Sequence, residues 1–79
     1  MHRYFFNLHN DITAIDEEGS EWPSDDAAME AALDNAREMA SVSVREGHLD
    51  LKHYIDVVAE NGRAVGKVTF ADAVEILGY

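Results

Sequence analysis

The stretch Ile55-Asp56-Val57-Val58-Ala59-Glu60-Asn61-Gly62-Arg63-Ala64-Val65-Gly66-Lys67-Val68 decides the fold. Asn-Gly is the preferred centre of a two-residue type I′ turn, in which both residues take positive φ. With Asn61 and Gly62 as the loop, Ala59 falls opposite Ala64, Val58 opposite Val65, Val57 opposite Gly66, Asp56 opposite Lys67 and Ile55 opposite Val68. Opposed residues share a face, so one side collects Ile55, Val57, Ala59, Ala64, Gly66 and Val68. The other side sets Glu60 beside Arg63 and Asp56 beside Lys67, opposite charges that favour this register. A slip of one residue would exchange the two faces.

Toward the N-terminus, Tyr4 to His9 alternates around aromatics and predicts a strand, and Asn10-Asp11 supplies a second two-residue turn. That turn pairs Leu8 with Thr13 and Phe6 with Ile15. Tyr4, Phe6, Leu8 and Ile15 then form an inner face, while Phe5, Asn7, Ile12 and Ala14 point outward. The acidic run from Asp16 to Glu21 ends the second strand, and Trp22 before Pro23 suits a hydrophobic staple. Ser24 is the expected N-cap of a long helix, with Asp25 and Asp26 in the first turn where the helix dipole favours anions. Met29, Ala32, Leu33, Ala36, Met39, Ala40 and Ser43 or Val44 follow at helical spacing, and Gly47 stands where a left-handed cap would stop the helix. An alanine-rich stripe lets a helix lie close on a sheet, and Gly66 on the facing strand fits that approach.

Leu49 to His53 reads as a connector into the Asn-Gly hairpin. Beyond the hairpin, Thr69-Phe70-Ala71-Asp72 matches a capping box with Asp in place of Glu, and Val74 and Leu77 extend it at helical spacing as far as Gly78. The expected fold is α+β in two layers, ββαββ(α), with residues 1–79 as a single domain. Its four-stranded antiparallel sheet has order 2-1-3-4, with the long helix on one face and a short C-terminal helix.

A chain of 79 residues buries only about 60% of its unfolded surface, and such cores rarely supply more than roughly 3–5 kcal/mol. A partner subunit is one source of further burial. Cysteine is absent, which rules out disulfides and thiolate metal sites. Sixteen acids against six Lys and Arg give a formal charge of -10, which repels nucleic acid and anionic lipid and would steer in a basic protein. No apolar run reaches a membrane span or a signal-peptide core, so a cytoplasmic location is expected.

Residue patterns for chemistry are missing. His2 and His9 fall on opposite faces of one strand, and His48 and His53 share no helical step, whereas zinc needs three or four converging ligands. The acids from Asp16 to Asp26 do not follow a calcium loop, since the twelfth position counted from Asp16 is Ala27. No serine sits in a nucleophile elbow and no glycine run cradles phosphate. The expectation is a protein that is not an enzyme and has no catalytic, cofactor-binding or metal residues. What stands out is the outer sheet face, where Phe5, Ile12, Tyr54, Val58 and Val65, with Ala14, are expected to cluster as an interaction surface.

Arg3-Tyr4-Phe5-Phe6, Asp16-Glu17-Glu18-Gly19 with Glu21, the alanine-rich helix, Ile55-Asp56-Val57 and Glu60-Asn61-Gly62 together resemble a small bacterial family catalogued as a domain of unknown function. The resemblance covers most of the chain and implies a cytoplasmic bacterial protein, but no activity or site. The strands and Glu30-Ala31-Ala32-Leu33-Asp34-Asn35-Ala36 also resemble the HicB-type antitoxins, though the proline- and glycine-rich loop before the helix and a DNA-binding tail are lacking. Two functions follow as expectations. One is a non-catalytic protein-interaction module that forms a homodimer through its sheet face. The other is an antitoxin-like acidic partner of a small basic protein, with no direct contact to nucleic acid or membrane.

Overall fold

The long aromatic strand His2–His9 (β1) organises the sheet in the computed structural model, which describes residues 1–78. Along it lie Thr13–Ala14 (β2), Ser20–Trp22 (β3) and Tyr54–Ala59 (β4), and Ala64–Thr69 (β5) pairs β4 in turn. The helices are Asp25–Arg45 (α1) and the single turn Phe70–Ala73 (α2). Sheet order is β2-β1-β4-β5, with β3 also on β1, and every pairing is antiparallel. The class and the order of the four expected strands agree with the sequence reading, and β3 is an addition.

The decisive hairpin keeps its expected register from Ile55↔Val68 through Val57↔Gly66, then shifts so that Val58 faces Ala64. The turn is the cause. The Gly62 N–H donates to the Ala59 carbonyl at 2.9 Å, Gly62 has φ of +85°, and no non-glycine residue has positive φ among the described ones. Asn61 therefore does not sit in a type I′ turn. The loop is the three-residue kind, closed by a left-handed glycine, and it leaves Val65 as a bulge. Val65 consequently packs against the core rather than pointing outward.

The first hairpin departs in the same way. Leu8 pairs with Ala14 and His9 with Thr13, one residue off the expected register, so Asn10, Asp11 and Ile12 form the loop. Beyond Ala14 the chain leaves β1 and returns as β3, with Tyr4 opposite Ser20 and His2 opposite Trp22. Asp16 bridges the gap. Its carboxylate accepts the Phe6 N–H at 3.0 Å and the Gly19 N–H at 2.9 Å, while its own N–H donates to the Asn7 side chain at 2.9 Å. One side chain thus replaces a stretch of ladder, and Ile15, expected inside, is 62% exposed.

α1 starts where the sequence places it. The Ser24 hydroxyl accepts the Ala27 N–H at 3.1 Å, and at the other end Gly47 takes φ of +95°. Ala32, Ala36 and Ala40 are buried and Met29 and Leu33 pack against the core as expected; Ala28 joins the buried stripe, while Met39 and Val44 face solvent. Gly66 does give close approach, but to a side chain: a Cβ there would meet Met29 Cε at 2.9 Å. α1 and α2 close over Tyr4, Ile55, Val57 and Val68 together with Phe70 and Ala73. Burying each of the larger of these side chains contributes roughly 1.5–3 kcal/mol.

The capping box at Thr69 and Asp72 forms, with both of its bonds at 3.0 Å. Its carboxylate, held by the Thr69 backbone N–H and then by the Thr69 hydroxyl, titrates below its ordinary value. The helix it starts is shorter than expected. Val74 is already extended, and residues 74–78 run on without helix, leaving Leu77 exposed.

Candidate functional site

Three of the five residues expected on the outer face are there. The β1–β4 register sets Phe5 directly opposite Val58 and His9 opposite Tyr54. All four are half-buried, on the side of the sheet away from α1. The His9 and Tyr54 rings stack at 4.6 Å, and the Lys67 ammonium lies 4.7 Å from the Tyr54 ring centre, near enough for a cation–π contact. His9 Nε2 is 3.0 Å from Asp56 Oδ2, so the side chain that meets Asp56 is this histidine and not Lys67. The face is a small apolar centre, Phe5 and Val58, beside a polar aromatic row. Val65 left it through the bulge. Ile12 left it through the longer first loop, and stands instead near Met39 and Val42 of α1.

At the opposite end of the sheet, the sequence hid a three-residue clasp. The Tyr4 hydroxyl, on a core ring, donates to Asp25 at 2.7 Å, and Arg63 holds the same carboxylate with two bonds of 2.9 and 3.1 Å. Arg63 therefore serves the helix start rather than Glu60. Arg63, and after it the Tyr4 hydroxyl, hold the Asp25 carboxyl down to about 2. The bond to Asp25 and then burial push the Tyr4 phenol above its ordinary value. Both shifts move away from neutrality, so neither group exchanges protons readily near pH 7, as a general acid or base must. The cluster joins β1, α1 and the β4–β5 hairpin. It is a fastening.

His53 is the other residue the sequence undervalued. It is buried at the start of the second hairpin, edge-on to Phe70 at 5.6 Å, with Nε2 3.4 Å from Asp50 and 3.7 Å from Asp11. Its Nδ1 has no hydrogen-bond partner among the described residues. The only sequence hint was alternation, since His53 leads Ile55, Val57 and Ala59 by even steps. Among the described residues no group of three or more His, Cys, Asp and Glu is arranged to hold a metal ion.

A family model described as Domain of unknown function (DUF6894) matches residues 3–71. The chain belongs to this family. The DUF6894 match runs from Arg3 through the clasp, the α1 alanines and both hairpins to Ala71, ending just before Asp72 of the capping box. Neither the curated proteins nor the solved structures contain a match to the chain. The resemblance to HicB-type antitoxins finds no support. No helix among the described residues is long and apolar enough to cross a membrane.

Proposed function

We propose that this DUF6894 domain is a non-catalytic protein-interaction module that pairs with a second copy through the outer face of its sheet. One observation carries the reading. Both helices pack on the same side of the sheet; on the other, the turn at Gly19 reaches the edge of the Phe5 ring, and neither helix covers Val58 or Tyr54. A sheet with one bare face normally meets water through alternating polar residues. Here a Phe–Val pair sits at the centre of that face, with the His9–Tyr54–Lys67 row beside it. Full burial contributes roughly 1.5–3 kcal/mol for each such side chain, and less for these because they start half-covered. Repulsion between two chains of charge -10 opposes association, so the dimer is weak and promoted by salt. The bacterial cytoplasm is the proposed setting, in keeping with a cysteine-free sequence.

Size-exclusion chromatography with light scattering, at low and moderate salt, tests this. Wild type should approach a dimer at high concentration, and Phe5→Glu should be a folded monomer by circular dichroism. A wild-type monomer throughout would end the proposal. The acidic excess favours a second reading, a partner for a small basic protein, for which the charge of -10 is the observation.

A further inference from the structure

A cleft of about 310 Å³ opens between the β1–β2 loop and the C-terminal half of α1. Its apolar lining is Ile12, Met39 and Val42, which are 77%, 41% and 48% exposed, over the buried rings of Phe70 and His53. Asp11 and Glu46 line its edge, and Asp50 stands beside His53 just outside it. No lysine or arginine lines it among the described residues; Arg45 and Lys52 are on adjoining segments. The cleft also lies at the C-terminal end of a 21-residue helix, where the backbone dipole adds negative potential and favours cations. Apolar floor, acidic edge and helix end all select the same chemistry.

We infer that this cleft binds a basic polypeptide segment of another protein, seating one aliphatic or aromatic side chain between Ile12, Met39 and Val42 with flanking Lys or Arg toward Asp11 and Glu46. No segment of this chain carries two adjacent Lys or Arg residues. Its six Lys and Arg are isolated, and the closest two in sequence, Arg63 and Lys67, are engaged by Asp25 and Tyr54. The occupant is thus a different chain, not a second copy. The inference rests on the second reading above, and it uses a surface on the other side of the sheet from Phe5.

A short synthetic lysine–leucine peptide is the probe, titrated into the full chain and followed by amide chemical shifts. Shifts should centre on Ile12, Met39, Val42 and Glu46 and weaken as sodium chloride is raised. Val42→Ser, which removes apolar contact, and Glu46→Lys, which reverses an edge charge, should each weaken binding by about tenfold, while Phe5→Ser should leave it unchanged. A glutamate–leucine peptide should not bind. Shifts confined to another surface, or affinity untouched by both cleft variants, would overturn the cleft while leaving a basic partner in place. No binding at any salt would overturn both. Concentration-dependent shifts at the cleft without peptide would make a second copy the occupant and defeat the inference.

Discussion

Alanine placed at Gly19, Gly62 and Gly66 in turn separates backbone strain from steric contact. Gly62 has φ of +85° with open space around its missing Cβ, so Gly62→Ala meets only the left-handed penalty, roughly 1–2 kcal/mol. In a domain of this size that lowers the melting temperature by roughly 5–15 °C. Gly19 has the same kind of φ, +72°, but its Cβ would also lie 2.8 Å from the Tyr4 carbonyl and 3.0 Å from both Arg3 Cγ and Phe5 Cε1. The carbonyl belongs to the central strand and cannot retreat without disturbing β1 pairing. Overpacking of that kind adds about 1–3 kcal/mol, bringing Gly19→Ala to about 2–5 kcal/mol, comparable with the whole stability expected of so small a core. Gly66 takes an ordinary φ, and its Cβ would meet only the Met29 thioether, which can swing aside, so Gly66→Ala should cost at most about 1 kcal/mol. Urea unfolding followed by circular dichroism gives all three losses. The expected order is Gly19, then Gly62, then Gly66. Equal losses at Gly19 and Gly62 would refute the close approach of the Gly19 loop to β1.

Two further outcomes follow from charge. The Asp25 carboxyl lies at about 2 in the folded protein against 3.8 unperturbed, so its contribution to stability is present above about pH 4 and is lost as pH falls toward 2. Carboxyl titration by nuclear magnetic resonance should find the Asp25 value rising most in Arg63→Gln and less in Tyr4→Phe, and no rise in either variant would dissolve the clasp. Raising sodium chloride from about 10 to 150 mM shortens the screening length from about 30 to 8 Å, so the melting temperature of a chain at -10 should rise. A flat or falling response would mean that attractive pairs such as Arg63–Asp25 outweigh the repulsion.

Sequence alternation made the Ile55–Val57 and Gly66–Val68 ladder legible because both faces were marked, one apolar and one charged. It could not reveal the bulge. Turn geometry depends on whether Asn61 takes positive φ, and both loop types accept Asn-Gly. Ser20–Trp22 was hidden for a different reason. A strand of three residues has too little alternation to read, and the segment joining it to β2 is held to β1 by the Asp16 carboxylate rather than by a continuous ladder. The phase of α1 was legible through Met29, Ala32, Leu33, Ala36 and Ala40, but its margins were not: alanine appears on several sides of the helix, so Ala28 was missed and Met39 was included. Phe5, Tyr54 and Val58 were placed on their face because strand parity alone decides that. The clasp and the cleft were not readable, since Tyr4 and Asp25, like Ile12 and Val42, meet only through tertiary packing.

The detour held by Asp16 also settles how this sheet ends. β1 could have carried one long companion along its outer side; instead it carries two fragments, Thr13–Ala14 and Ser20–Trp22, with a side chain between them. Neither fragment is long enough to template a further strand. At the other margin β5 is continuous, but it carries the bulge at Val65 and the charge of Lys67, both of which discourage a stranger from zipping on. Both margins of an acidic chain are thereby disfavoured for runaway strand addition, which turns any contact with another chain toward the faces of the sheet.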